Sequence, residues 1–273
     1  MGNGWAMETD KGIVFIGGLG GSGTRAVTEA IENLGYYPGG NLNSARDNLV
    51  FSVLMKHPVL LRNGSGTAAI RRRLTLHRSI MCSGVKFSDV FAHPGLLRYK
   101  KTEANGLQDH PNAYGWLTKE PNSHLFMDTI LAMWPEAVFI HVSRHPLDMA
   151  FSNNKQQLQN WAWFFDINID AMGSIEAAQL EYWIASERRL RTIMKAFGSR
   201  VYNLKFEAFA IAPQEQLSAM IDALGIKADS EYAAKAVCNV KPPKTMGRWR
   251  KHDLSQFSVG QLDACRELGW PIE

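Results

Sequence analysis

Cysteine is scarce: Cys82, Cys238 and Cys265 are the only three in 273 residues, odd in number and far apart. They imply no disulfide framework and have no metal-ligand spacing, so no metal is expected and a reducing compartment is the default. Long apolar runs are missing too. No stretch reaches about eighteen uninterrupted hydrophobic residues, and Met1–Lys11 carries Gly, Asn, Glu, Asp and Lys with no apolar centre. A soluble, cytoplasmic protein without a membrane partner is expected. The charge imbalance is also small, a formal +4 with a pI near 8.9, which suits a small anionic ligand better than a nucleic-acid backbone. Hydrophobic residues at 45% and charged residues at 21% exclude the disordered and fibrous classes. The densest basic run, Arg71-Arg72-Arg73, reads as a solvated helix face.

What is present is organised around Gly12 to Val27. Ile13 to Ile16 is a continuous apolar, mostly β-branched or aromatic run, the pattern of a strand buried in a parallel sheet. A glycine-rich turn follows at once. From Thr24 the period changes, with Val27, Ile31 and Leu34 spaced three or four apart before Gly35 stops the helix. Strand, glycine loop and helix together offer bare backbone N–H groups and a helix N-terminus to an anion. Read as a nucleoside-triphosphate loop, Gly18 and Gly23 match, yet Thr24 stands where the phosphate-clamping lysine belongs and Arg25 where the Mg²⁺-binding hydroxyl belongs. A dinucleotide fingerprint matches Gly18, Gly20 and Gly23 but lacks its acidic partner, since Pro38-Gly39-Gly40-Asn41 occupies that distance.

Further along, Tyr36 to Asn41 reads as a loop at the carboxyl edge of a sheet, with Asp47 just before the apolar-periodic segment Leu49–Leu61. A helix is expected over Gly64–Leu76, behind the loop Asn63–Gly66. Gly84–Gly106 shows only hints of alternation at Phe87, Phe91 and His93. Trp116–Pro121 is a short segment ended by proline, a helix spans roughly Ser123–Met133, and Ala137–Ser143 is a second central strand. Arg144-His145-Pro146 stops that strand and Leu147–Gln159 resumes helical spacing. Ser174–Phe197 is a long amphipathic helix, Arg200–Phe206 a further strand, and Pro213–Leu224 a helix closed by Gly225. Alternating strands and helices predict a three-layer α/β/α domain with a central parallel sheet and P-loop-like topology. In that fold Arg144 faces the same cleft as Ser22–Arg25. With Ser152 it makes a site for a phosphate monoester, unless Arg144 merely pairs with Asp148. The basic, proline-containing stretch Lys241–Lys251 is expected to fold over a bound anion.

Five segments, in order, carry a resemblance. Ser22-Gly23-Thr24 resembles the K/R-S-G-T-T loop of the sulfotransferases that use 3′-phosphoadenosine 5′-phosphosulfate (PAPS). Phe139–Ser152 resembles their 3′-phosphate motif, a strand ending in R-D/H-P with a serine eight residues after the arginine. Lys119-Glu120-Pro121 is similar to their K-D/T-P segment, Asn203–Glu207 to R-Y-E-D, and Gly247-Arg248-Trp249-Arg250-Lys251 to G-x-W-R/K. The likeness runs from Gly20 to Lys251 and implies one domain over 1–273, with 41–114 as the variable acceptor side.

The resemblance implies that Gly20, Gly21, Ser22, Gly23, Thr24 and Arg25 surround the 5′-phosphosulfate and that Arg144 and Ser152 grip the 3′-phosphate. Lys244, Gly247, Arg248 and Trp249 then close over PAPS or its product, adenosine 3′,5′-bisphosphate (PAP). Lys119 stabilises the leaving oxygen, and Asp47 is the first candidate for general base, ahead of His57 and His93. The acceptor is a small molecule, carbohydrate or peptide, and the protein a monomer or homodimer. Two positions depart from the pattern: Gly21 replaces the basic residue before Ser22, with Arg25 as a substitute charge, and Phe206 replaces a tyrosine. Two alternatives stay open, a P-loop phosphotransferase and a PAPS- or PAP-binding protein without turnover. The aromatic run Trp161, Trp163, Phe164, Phe165 reads as core or as an acceptor platform.

Overall fold

The computed structural model describes residues 12–62 and 66–272. The leader-free reading of Met1–Lys11 and the loop residues 63–65 lie outside them. In chain order the elements begin with β1 (Gly12–Gly18), α1 (Thr24–Asn33), β2 (Tyr36–Tyr37), α2 (Leu49–Met55), α3 (Val59–Arg62), α4 (Gly66–Ser83) and α5 (Phe87–Ala92). They continue with β3 (Gly115–Lys119), α6 (Met127–Met133), β4 (Ala137–Ser143), α7 (Pro146–Ala150), α8 (Gln156–Trp161) and α9 (Ile175–Phe197). Last come β5 (Val201–Lys205), α10 (Phe206–Ile211), α11 (Pro213–Leu224), α12 (Ser230–Ala236) and α13 (Val259–Glu267).

The five strands form one parallel sheet in the order β2-β3-β1-β4-β5. Being parallel, it needs cover on both faces. Phe15, Trp116 and Phe139 look to one side, where α2, α4, α6 and α9 supply the core; Val14, Ile16 and Ile140 look to the other, against α1, α10 and α11. Phe15 is wholly buried and stacks on Trp134 at 5.9 Å and on Phe139 at 6.4 Å, a burial worth roughly 2–3 kcal/mol per ring. This is the expected α/β/α architecture. Because β3 and β4 flank β1, with Lys119 opposite Ile16 and Val142 opposite Gly18, the segments after these three strands meet at one carboxyl edge, where open α/β sheets bind ligands.

Several boundaries differ from the expectations. Tyr36-Tyr37 is not loop but an edge strand, paired with Gly115 and Trp116. Leu49–Leu61 breaks at His57-Pro58 into α2 and α3, since the residue before a proline avoids the helical region. The helix expected over Gly64–Leu76 runs on to Ser83, and the one from Ser123 starts as a 3₁₀ turn over Pro121–Phe126. Leu147–Gln159 is two helices. Between them Ser152 Oγ accepts from Asn154 N (3.3 Å) and Asn154 Oδ1 from Gln156 N (3.2 Å), side-chain bonds that compete with the helical ladder. Ser174 caps α9 as its sequence suggests, Oγ accepting from Ala177 N at 3.1 Å.

Candidate functional site

The loop after β1 turns back tightly, Ser22 N donating to Leu19 O at 2.9 Å, with Gly21 at φ 97° and Gly23 at φ 100°. Both angles favour glycine. Gln157, on α8, straps the loop from outside: its Oε1 accepts from Gly20 N and its Nε2 donates to Gly18 O. Gly20 therefore serves the loop's own shape, its N–H already engaged. The N–H groups of Gly21, Gly23 and Thr24 have no hydrogen-bond partner among the described residues, and α1 begins there without a side-chain cap. Ser22 Oγ is buried and likewise unpartnered. A buried hydroxyl and open donors at a helix N-terminus form a cradle that wants an anion. A phosphosulfate fits this donor set.

Arg144, at the end of β4, is buried and touches both sides of the cleft. Its Nη1 donates to Gly21 O (3.0 Å) and its Nη2 to Thr245 Oγ1 (3.0 Å), while Nε is left without a partner. Asp148 Oδ2 lies 3.7 Å away and Glu207 Oε1 3.9 Å. Pairing with Asp148 thus coexists with a place in the cleft. The Asp148 carboxylate also accepts from Gly247 N (2.7 Å) and Trp249 N (3.2 Å), holding the C-terminal basic segment against α7. Ser152 sits at the break between α7 and α8, and a Cβ on Gly21 would lie 3.6 Å from its Oγ. Arg248 lies near enough for its charge to work against protonation of both Arg144 and Lys155, each lowered chiefly by burial. Arg144 and Ser152 thus stand beside the glycine loop, while the Lys155 ammonium is held by Ala150 O and lies 3.7 Å from Glu176.

Beyond the end of β3, Lys119 is buried and its ammonium is held by the Asp47 carboxylate and by Ala45 O at 2.8 Å. The loop that presents Asp47 is shaped by Asn43, whose Oδ1 accepts from Ala45 N and Asp47 N and whose Nδ2 donates to Asp47 Oδ2 (2.8 Å). Arg46, at φ 65°, ties the same loop to Glu32. The next carboxyl, Glu120, is 3% exposed and accepts from Asn122 Nδ2 at 2.8 Å. Burial pushes its pKa up to about 7, with the Lys56 charge opposing and the Asp47 charge adding. The folded protein therefore holds this proton more tightly than the unfolded chain. Stability from Glu120 is complete below its ordinary value of 4.5 and is lost as pH rises toward 7. Over that window Glu120→Gln should gain about 3 kcal/mol on the native protein. Urea unfolding of both proteins at several pH values checks this; parallel stability curves would show that Glu120 ionises freely.

The remaining candidates scatter. Arg25 is exposed on α1, 4.0 Å from Glu29, and Lys244 is exposed. Trp249 is buried and stacks on the His145 ring at 5.0 Å, so its packing faces the core. Phe206 lies against Gly23, with the Arg144 guanidinium 5.7 Å from its ring centroid. His57 bonds Val53 O at 2.8 Å within its own chain segment, and Trp161 is fully buried, with Trp163, Phe164 and Phe165 packed around it. Gln157, Lys155, Glu120 and the loop-holding role of Asp148 are additions that only the structure shows. Lys155 and Asp148 were within reach as charges flanking Ser152, whereas Gln157 had no signal.

The model of a family described as the sulfotransferase family matches residues 14–230. No curated protein matches the chain. Among solved structures, the sulfotransferase domain from the Synechococcus PCC 7002 olefin synthase is similar at 16% identity and a TM-score of 0.51, over 96% of this chain and 95% of that one. The sulfotransferase domain from the curacin biosynthetic pathway is similar at 13% identity and a TM-score of 0.51, over 96% and 99%. These likenesses concern the fold. None of the described helices is long and apolar enough to cross a membrane. By the family match, which spans most of its length, this chain belongs to the sulfotransferase family.

Proposed function

We propose that the protein moves a sulfuryl group from PAPS to a hydroxyl or amine acceptor, as a single domain whose segment 41–114 faces the acceptor. The observation that carries this is the pair of anion sites meeting at Gly21: open N–H groups with an orphaned Ser22 hydroxyl on one side, Arg144, Ser152 and Arg248 on the other. A nucleotide with anions at both its 5′ and 3′ positions fits two such sites; one with a 5′ chain alone leaves the second empty. When bound, PAPS supplies the sulfuryl group and a phosphate leaving oxygen.

The chain's part is positioning and charge, as in phosphoryl transfer. Lys119, aimed by Asp47 and Ala45, supplies positive charge to the leaving oxygen. Asp47 is the proposed base for the acceptor proton, at the mouth of the same loop. Lys119→Ala should lower kcat by about 100-fold while PAP affinity stays unchanged; full activity would retire its role. A second reading, PAP binding without turnover, is favoured by Gly21, whose left-handed backbone excludes the usual basic side chain. Calorimetric titration with PAP and, separately, ATP, both without magnesium, tests the function itself. Binding of PAP alone is expected, and binding of ATP alone would overturn the proposal. Sulfate transfer from PAPS to added acceptors then separates the first reading from the second.

A further inference from the structure

A cavity of about 520 Å³ opens beside α2, lined by Leu49, Val53, Pro94 and Tyr99 on its apolar walls and by Lys56, His57, Arg73 and His93 among its polar groups. No carboxylate lines it. Arg71 and Arg72 point into solvent, as the basic run suggested, but Arg73 turns inward and donates to Leu54 O at 2.6 Å. That bond uses one of five guanidinium donors. No acidic side chain pairs with Arg73 or Lys56 among the described residues, and burial alone lowers the arginine. His93 is lowered by burial first and then by the Arg73 charge, and Lys56 shares the same lining, so two fixed cations face one space. Asp89 opposes that trend at His93 and is occupied in capping its own helix through Lys86 N (2.8 Å), and Glu120, which feels the Lys56 charge, lies outside the lining. Uncompensated cations around a partly apolar cavity are an arrangement that lacks its anion.

The cavity's position links it to the transfer site. α2 starts where Asn48 N donates to Lys119 O at 2.7 Å, one residue after Asp47, and its face carrying Leu49, Ser52, Val53 and Lys56 forms the cavity wall. The charge of Lys56 is felt at Glu120, next to Lys119. Along this helix the chain passes from the reacting groups to the cationic cluster.

We infer that this cavity is the acceptor site and that the acceptor is a hydroxylated acid: its hydroxyl lies toward Asp47 and Lys119, and its carboxylate or phosphate monoester lies among Arg73, His57, His93 and Lys56. The inference rests on the sulfotransferase reading and names its substrate class. In the transfer, an oxygen–sulfur bond forms to the acceptor hydroxyl as the bridging oxygen–sulfur bond of the PAPS donor breaks. The hydroxyl proton passes to Asp47, and the electron pair stays on the leaving phosphate oxygen, beside Lys119. The product carries two separated anions.

The test is calorimetry on the full chain saturated with PAP, using ω-hydroxy acids of increasing chain length, the matching ω-hydroxyalkyl phosphates and the matching primary amides. At the best length the acids or the phosphates should bind at least about tenfold more tightly than the amides, and whichever anion leads identifies the head group. Arg73→Gln should remove the preference and leave PAP affinity unchanged. Because Arg73 also holds α2, Lys56→Gln, at a half-buried side chain, is the second variant and should reduce the preference in part. Equal affinity for acid and amide, a preference that survives both variants, or no binding at any length would overturn the assignment. Failure of PAP itself to bind would instead overturn the sulfotransferase reading, and the acid–amide comparison is then made on the free protein.

Discussion

Arg144→Ala should weaken PAP binding by more than about 100-fold and destabilise the free protein by about 3 kcal/mol. Both effects have one origin. The guanidinium is the only described cation within salt-bridge distance of the wholly buried Asp148, and it also supplies donors to Gly21 O and Thr245 Oγ1. Removing one partner of a buried pair leaves the other desolvated and uncompensated, which costs several kcal/mol even though the intact pair contributes little. Asp148 keeps its two backbone donors, so the expected cost sits at the lower end. Loss of affinity follows because the guanidinium proposed to grip the 3′-phosphate is gone and because the glycine loop and the C-terminal segment lose their bridge. Arg144→Lys should fall between, keeping a charge but not the planar fork that reaches both sides. Calorimetry and urea unfolding measure the two effects separately; unchanged PAP affinity would remove the 3′-phosphate role from this residue.

Gly23→Ala should be worse for folding, by more than about 4 kcal/mol. At φ 100° an L-residue is strained, and the new Cβ would fall inside the ring edge of Phe206. The loop is fixed on its other flank by Gln157, so it has no direction in which to yield. The second variant isolates the clash. Combined with Phe206→Ala, the substitution should cost less than the sum of the two single changes, because the ring that obstructs the methyl is gone. Strict additivity, measured by urea unfolding, would mean that backbone strain alone decides the position.

Why Phe206 and Gly23 meet is not readable from either residue. The strand–loop–helix unit and the arginine ending β4 are, because β-branched runs, glycine turns and helical spacing are local signals. β1, β4 and α9 owe their form to patterns within a dozen or two residues. Where local pattern misleads, the deciding contacts are distant or small. Two residues of β2 become strand only by pairing with Gly115 and Trp116. The break that frees Ser152 comes from side chains of Ser152 and Asn154 that a hydrophobic period does not register. Lys119 and Arg144 stand at motif positions, yet their partners Asp47 and Thr245 come from segments 72 and 101 residues away. Glu120 stands in plain view inside its motif, and nothing but burial distinguishes it from a surface carboxylate.

The hold of Asp148 on Gly247 and Trp249 bears on how quickly the protein can be used. A segment anchored to a buried carboxylate arrives at the encounter with ligand already folded, so little chain entropy is left to be lost on association. Free and loaded forms should then share one backbone course between Gly247 and Lys251, with the ligand entering a slot that is already built. Departure, for the same reason, cannot rely on that segment swinging away, and under the proposed function the residence time of the spent nucleotide should be set by how fast its two anions leave their separate donors.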